Sequence, residues 1–195
     1  MSTSHLTANS ESYDFGGSDA TATWPKEIHA LLTKFGIKQA AYVPDGGNAE
    51  LIARLDTDNA IRTISLTTEQ EGIGLIAGAW LGGQRAVLLM QSSGVGNCVN
   101  LFSLIRSCTM PAVILVTMRG EWGEFVPWQI PMGQAARKCL ELFDFSVIHA
   151  EKSDDIAPAV EAALKMAFYG YKASAVLISQ RVIGTKSFGK LQATA

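Results

Sequence analysis

From Trp24 onward, short apolar runs alternate with segments whose apolar residues recur at every third or fourth position. The runs lie at 39–43, 61–66, 85–90, 111–117, 145–149 and 175–179, and they predict six strands. Between them, Ile28, Leu31, Leu32 and Phe35 mark one helix and Leu51, Ile52 and Leu55 a second. A third opens at Glu69 and stops near Gly82. A fourth carries Val99, Leu101, Phe102, Leu104 and Ile105; a fifth covers 133–142, and a sixth, capped by Ser153 or Asp154, reaches Tyr169. The run at 85–90 has almost no polar interruption, as a parallel strand covered on both faces requires. Strict alternation of strand and helix predicts an α/β fold, with a mainly parallel six-stranded sheet and helices on both faces.

This order divides the chain. Residues 1–22, rich in Ser, Thr, Gly, Asn and Asp, predict a disordered or loosely attached arm, and His5 falls within it. Residues 23–184 predict one domain, and 185–195 a polar tail. In an open parallel sheet the ligand site lies at the carboxyl ends of the strands. Four segments there are rich in polar and small residues: 44–48, 67–71, 91–97 and 118–131.

Composition narrows the class. Hydrophobic residues make up 48% of the 195 and charged residues 17%, which predicts a globular chain with apolar surface to bury against another subunit. A net charge of −2 speaks against nucleic-acid binding. No apolar run approaches membrane-spanning length. Cys98, Cys108 and Cys139 have no metal-ligand spacing and predict small core residues of a reduced, cytoplasmic protein. His29 reads as a surface or satisfied histidine, and His149 as a structural or rim one.

The loops admit several chemistries. Gly94-Val95-Gly96 after a strand suggests a dinucleotide turn, but Val99 stands where a third glycine belongs and no acid closes a second strand. The bland alternative makes Gly94 and Gly96 turn glycines in conformations other residues resist, with Asn97 as helix N-cap. In a third reading, Gln91, Ser93 and Asn97 offer hydrogen bonds to a ligand. Thr68-Glu69-Gln70-Glu71 has the form of a capping box, with Thr68 at the N-cap and Glu71 three residues on. Glu69, at the first helical position, is then either an acid favoured by the helix dipole or a functional carboxylate.

Four pieces together resemble the pyrimidine-binding domain of thiamine diphosphate enzymes. They are Val43-Pro44-Asp45; Thr68-Glu69 leading into Gly72–Ala79; Met90-Gln91-Ser92-Ser93-Gly94-Val95-Gly96-Asn97; and Arg119-Gly120-Glu121 with Pro131-Met132-Gly133-Gln134. More narrowly, the chain is similar to the alpha-subunit family of sulfopyruvate decarboxylases and to the matching half of phosphonopyruvate decarboxylases, over roughly residues 24–183.

The resemblance implies a 2-oxo acid decarboxylase subunit in which Glu69, nine residues before Gly78, addresses N1′ of the cofactor's aminopyrimidine. That contact lets the pyrimidine's own amino nitrogen take the proton from C2 of the thiazolium. It implies cofactor contacts by Val43, Pro44, Asp45, Gln91, Ser93 and Gly94. It also implies substrate contacts by Asp45, Gln91, Asn97 and Arg119, the substrate being a short 2-oxo acid with a sulfonate or phosphonate head. For Arg119 an equal alternative is an ion pair with Glu121 or Glu124. Trp122 and Trp128 either cover the site or fill an interface.

Two departures from the family's pattern bear on assembly. The chain has Asp45-Gly46-Gly47 but neither the Gly-Asp-Gly nor the downstream asparagine that holds diphosphate and Mg²⁺. A beta-type partner subunit is therefore expected to bring that half, together with the Mg²⁺, in a hetero-oligomer that also self-associates. The paired histidines of pyruvate-type decarboxylases are absent too. Carboligation, or a non-catalytic regulatory role, remains the alternative activity.

Overall fold

The computed structural model describes residues 23–185. The arm expected over 1–22, with His5, and the tail from 186 onward lie outside the described residues.

Six strands form one sheet in which every pairing is parallel: β1 (Ile37–Tyr42), β2 (Arg62–Ser65), β3 (Arg85–Gln91), β4 (Ala112–Thr117), β5 (Ser146–Ala150) and β6 (Ala173–Ile178). Their order across the sheet is β2-β1-β3-β4-β6-β5. β3 and β4, near the middle, are the unbroken apolar runs: Val87, Leu88, Leu89 and Met90 are fully buried, as are Val113 to Val116. The edge strands β2 and β5 are only half-covered and carry the more polar sequences.

The helices divide between the two faces. α1 (Trp24–Lys34), α2 (Ala49–Asp56) and α7 (Ser153–Phe168) cover one, packing Ile28, Leu32, Leu51, Leu55, Val160 and Leu164 on Leu89 and Leu115. α3 (Glu69–Leu81), α4 (Ser92–Cys98), α5 (Phe102–Ser107) and α6 (Gln129–Leu142) cover the other, packing Ile73, Ile76, Val95, Phe102 and Leu140 around Leu88 and Ile114. The chain leaves β1 toward β2 on one side, and then places β3 on the other side of β1. The carboxyl ends of β1 and β3 therefore flank the point where strand order reverses, a natural crevice.

Several local expectations need correction. The segment 91–97 is not a loop before a helix. It is itself helical from Ser92, and the apolar stretch beyond it resumes as α5 only at Phe102. Asn97 is thus inside α4 and caps nothing. Gly94 and Gly96 have no positive φ, so a strained turn is not their purpose. The capping box forms by half. Thr68 is the N-cap with extended backbone, but its side chain makes no cap bond. Glu71 Oε2 accepts instead from the Thr67 backbone N–H, one residue upstream, at 3.0 Å. α7 begins at Ser153 with Lys152 as N-cap and no side-chain cap bond, so neither Ser153 nor Asp154 caps it. Cys98 is buried in the core, whereas Cys108 is exposed and Cys139 half-buried. A short helix, α8 (Gln180–Ile183), follows β6 where no element was expected.

Candidate active site

At the carboxyl end of β2 the chain turns into α3, and Glu69 is the first residue of that helix. It is one of few buried charged groups, at 6% exposure. The helix start supplies a favourable dipole for its charge. Two features of α4 meet its carboxylate. Gly94 lies directly against it: a Cβ at position 94 would stand 2.6 Å from Glu69 Oε1 and 2.5 Å from its Cγ. Asn97 Nδ2 donates to Oε2 at 2.8 Å. Residues 94 and 97 are one helical turn apart and share a face. Gly94 is therefore glycine because the carboxylate occupies the space a side chain would take.

Among the described residues no cation pairs with Glu69, and no donor reaches its Oε1. A buried carboxylate left this way costs several kcal/mol unless something else meets it. One oxygen is held and the other is free, which suits a ligand that presents a ring N–H. A pyrimidine whose N1′ shares a proton with a carboxyl group has that chemistry, so these residues fit the cofactor that the sequence implies.

The β1 loop provides the second acid. Asp45 Oδ2 accepts from Thr117 Oγ1 and from Asn48 Nδ2, the latter at 3.2 Å. Asn48 is fully buried, and its amide also lies 3.4 Å from Thr117 Oγ1 and 3.5 Å from the Met90 carbonyl. The ends of β1, β3 and β4 are tied together by this cluster. Neither Asn48 nor Thr117 stood out in the sequence. They are 69 positions apart, and no local pattern joins them. Val43 and Pro44 follow β1, and Gln91 and Ser93 lie where β3 passes into α4; Val43, Gln91 and Ser93 are half-buried and Pro44 is exposed.

The segment 118–131 is fixed by ion pairs. Arg119, 6% exposed, meets Glu124 bidentately, Nε to Oε2 at 2.6 Å and Nη2 to Oε1 at 2.9 Å. Of the two readings open for Arg119 the structure shows the ion pair, and its partner is Glu124 rather than Glu121. Burial pushes the Glu124 carboxyl up, but Arg119, the Val126 N–H and Gln180 outweigh it and hold it at about 2. Gln180, fully buried in the unexpected α8, accepts from the backbone N–H groups of Glu121 and Trp122 and donates to Glu124. Ser92, at the start of α4, exchanges hydrogen bonds with the Arg119 backbone at 3.0 and 3.2 Å, which couples this segment to the helix under Glu69. Trp122 is half-exposed with the Arg181 guanidinium 4.0 Å above its ring, and Trp128 is 77% exposed.

His149, on β5, lies 3.0 Å from Glu121 Oε1 and 3.8 Å from Glu151. His29, on α1, meets Asp58 at 2.9 Å. Bonding to Glu121 outweighs burial and raises the His149 pKa above 6.5. A group whose pKa is raised by folding stabilises fully below its unfolded value, and that stabilisation is lost as pH climbs through the folded value. The native chain should therefore melt above His149→Gln by the widest margin at and below about pH 6.5, with the gap closing toward pH 9. Paired thermal melts across that range check it, and a gap that widens with pH would contradict the pairing.

No protein-family model matches the chain. Among curated proteins, sulfopyruvate decarboxylase subunit alpha of Methanococcus maripaludis is 32% identical over 140 residues, covering 71% of this chain and 84% of that one. Phosphonopyruvate decarboxylase of Streptomyces viridochromogenes is 38% identical over 120 residues, 60% of this chain but only 30% of that longer protein. Among solved structures, a putative thiamin diphosphate-dependent enzyme from Mycobacterium smegmatis superposes with a TM-score of 0.66 at 15% identity, over 88% of this chain and 33% of that one. That likeness shows a shared fold.

Proposed function

The chain belongs to the sulfopyruvate decarboxylase alpha-subunit family, and from that premise we propose that it is the pyrimidine-binding subunit of a thiamine diphosphate-dependent decarboxylase that converts sulfopyruvate to sulfoacetaldehyde and carbon dioxide. The observation that carries this reading is Glu69, a buried carboxylate with one oxygen held by Asn97 and, among the described residues, no cation beside it. When bound, thiamine diphosphate supplies the carbon nucleophile and holds the electron pair left by carbon dioxide. Glu69 holds the proton shared with N1′. Val43, Pro44, Gln91, Ser93 and the bare backbone of Gly94 line the place of the pyrimidine, and Asp45 and Gln91 face the substrate. Asn97 and Arg119, expected at the substrate, meet Glu69 and Glu124 of this chain.

The charge at the site argues for a second chain. Asp45 and Glu69 are both acids, while the arginine that follows β4 is neutralised by Glu124. A doubly anionic 2-oxo acid needs cations, and the diphosphate needs Mg²⁺. We assign both to a beta-type partner subunit in a cytoplasmic hetero-oligomer. The Streptomyces relative, of which this chain spans 30%, is long enough to hold such a half in one chain.

The test is reconstitution with a Gly-Asp-Gly-bearing partner chain encoded nearby, Mg²⁺ and thiamine diphosphate. Carbon dioxide release from sulfopyruvate should appear only with both chains, and kcat/KM for sulfopyruvate should exceed that for phosphonopyruvate. Activity of this chain alone would sink the two-chain reading. The opposite substrate order would transfer the assignment to phosphonopyruvate. Condensation products formed with added aldehydes would mark carboligation.

A further inference from the structure

Asn97 is a residue without a structural reason at its own position. It is exposed, it lies in the last turn of a helix of only seven residues, and it sits in the unfavourable run Ser92-Ser93-Gly94-Val95-Gly96-Asn97. An exposed amide can satisfy itself with water, yet this one turns to a buried carboxylate 28 residues away. The amide's orientation follows from chemistry, because an ionised carboxylate accepts only and so the NH₂ must face it.

The helix that carries Asn97 is held on three sides. Ser92 bonds both ways to the Arg119 backbone. Gly96 lies so close to α6 that a Cβ there would be 3.2 Å from Met132 Sδ. Gly94 is in contact with the Glu69 carboxylate itself. α4 is thus a fixed shelf, and Asn97 is the one group on it that grips Glu69.

We propose that Asn97 is the positioning residue for Glu69. By occupying Oε2 it sets the side-chain rotamer and leaves Oε1 as the oxygen that shares a proton with the ligand. It also disfavours protonation on the Oε2 side, where the proton would meet an N–H. This rests on the reading of Glu69 given above.

The test uses the assembled two-chain complex. In the cofactor-free state, the Glu69 carboxyl ¹³C resonance, identified by its loss in Glu69→Gln, should shift in Asn97→Ala. With thiamine diphosphate bound and no substrate, exchange of the cofactor's C2 proton for deuterium should slow about 10- to 100-fold in Asn97→Ala, the worth of one hydrogen bond to a charged group. Asn97→Asp, equal in size but setting a second carboxylate where the donor stood, should be slower still, while Asn97→Ala keeps cofactor affinity and melting temperature close to native. If Asn97→Ala melts early, Asn97→Asp carries the same test. Native exchange and an unmoved resonance in both variants, with a raised KM for the 2-oxo acid, would overturn the proposal and return Asn97 to the substrate. Native exchange in Glu69→Gln would overturn the reading of Glu69 instead, so the two failures are distinguishable.

Discussion

Glu69→Gln should leave the chain folded and assembled while turnover of the reconstituted complex falls by about 10²- to 10⁴-fold, the range of a positioned proton-transfer group. The substitution keeps the length of the side chain, and its amide oxygen still accepts from Asn97. It removes a buried charge that no cation balances among the described residues, so melting temperature should hold or rise. What it destroys is the ability to share a proton at Oε1, because an amide oxygen does not take one at neutral pH. Glu69→Asp retains the acid but withdraws it from Asn97 and from the crevice, and should fall between the two. Steady-state carbon dioxide release and thermal melts on the same preparations decide the matter. Near-native turnover in Glu69→Gln would remove Glu69 from the chemistry and leave its burial to the helix dipole alone.

The sheet was legible because parallel strands covered on both faces leave an unmistakable mark. Val87 to Met90 and Val113 to Val116 are apolar at every position, and all are buried. The site was legible in part. Glu69 stood out because a carboxylate at a strand–helix junction sits where open α/β sheets place their ligands. α4 was not legible, because two serines, two glycines and an asparagine are poor helix formers read alone. The helix forms through what it touches: Glu69 at Gly94, Met132 at Gly96 and the Arg119 backbone at Ser92. Tertiary contact also decided the role of the glycines, which make room rather than turns. Asn48, Thr117 and Gln180 were invisible for a related reason. Each is a buried polar residue with at least one partner dozens of positions away, so no spacing in the chain announces them.

Arg119→Ala should be the most destabilising of these substitutions, by about 3–5 kcal/mol, as expected when one partner of a buried ion pair is removed. Only 3% of the Glu124 side chain is exposed, and without Arg119 its charge has no counter-ion among the described residues. The backbone offers little room to adapt. Gly120 is in the left-handed region, at φ 75°, and its missing side chain admits the Gln129 carbonyl. A Cβ at Gly133 would run into the Arg119 carbonyl. The two ends of the segment are therefore pressed together around the ion pair. The pH dependence gives a second signature. Glu124 is held at about 2, below its usual 4.5, so it contributes stability above the unfolded value, and that contribution is lost as pH falls toward the folded one. Urea denaturation should show the native chain losing its advantage over Arg119→Ala on acidification from about pH 5 toward pH 2. Replacing both partners, as in Arg119→Met with Glu124→Leu, should recover only part of the loss. Glu124 also accepts from the Val126 N–H and from Gln180, and those donors would be left without it. A loss below about 1 kcal/mol for Arg119→Ala would place the pair among solvent-screened ones. It would then return the guanidinium to the list of groups free to meet an anionic substrate.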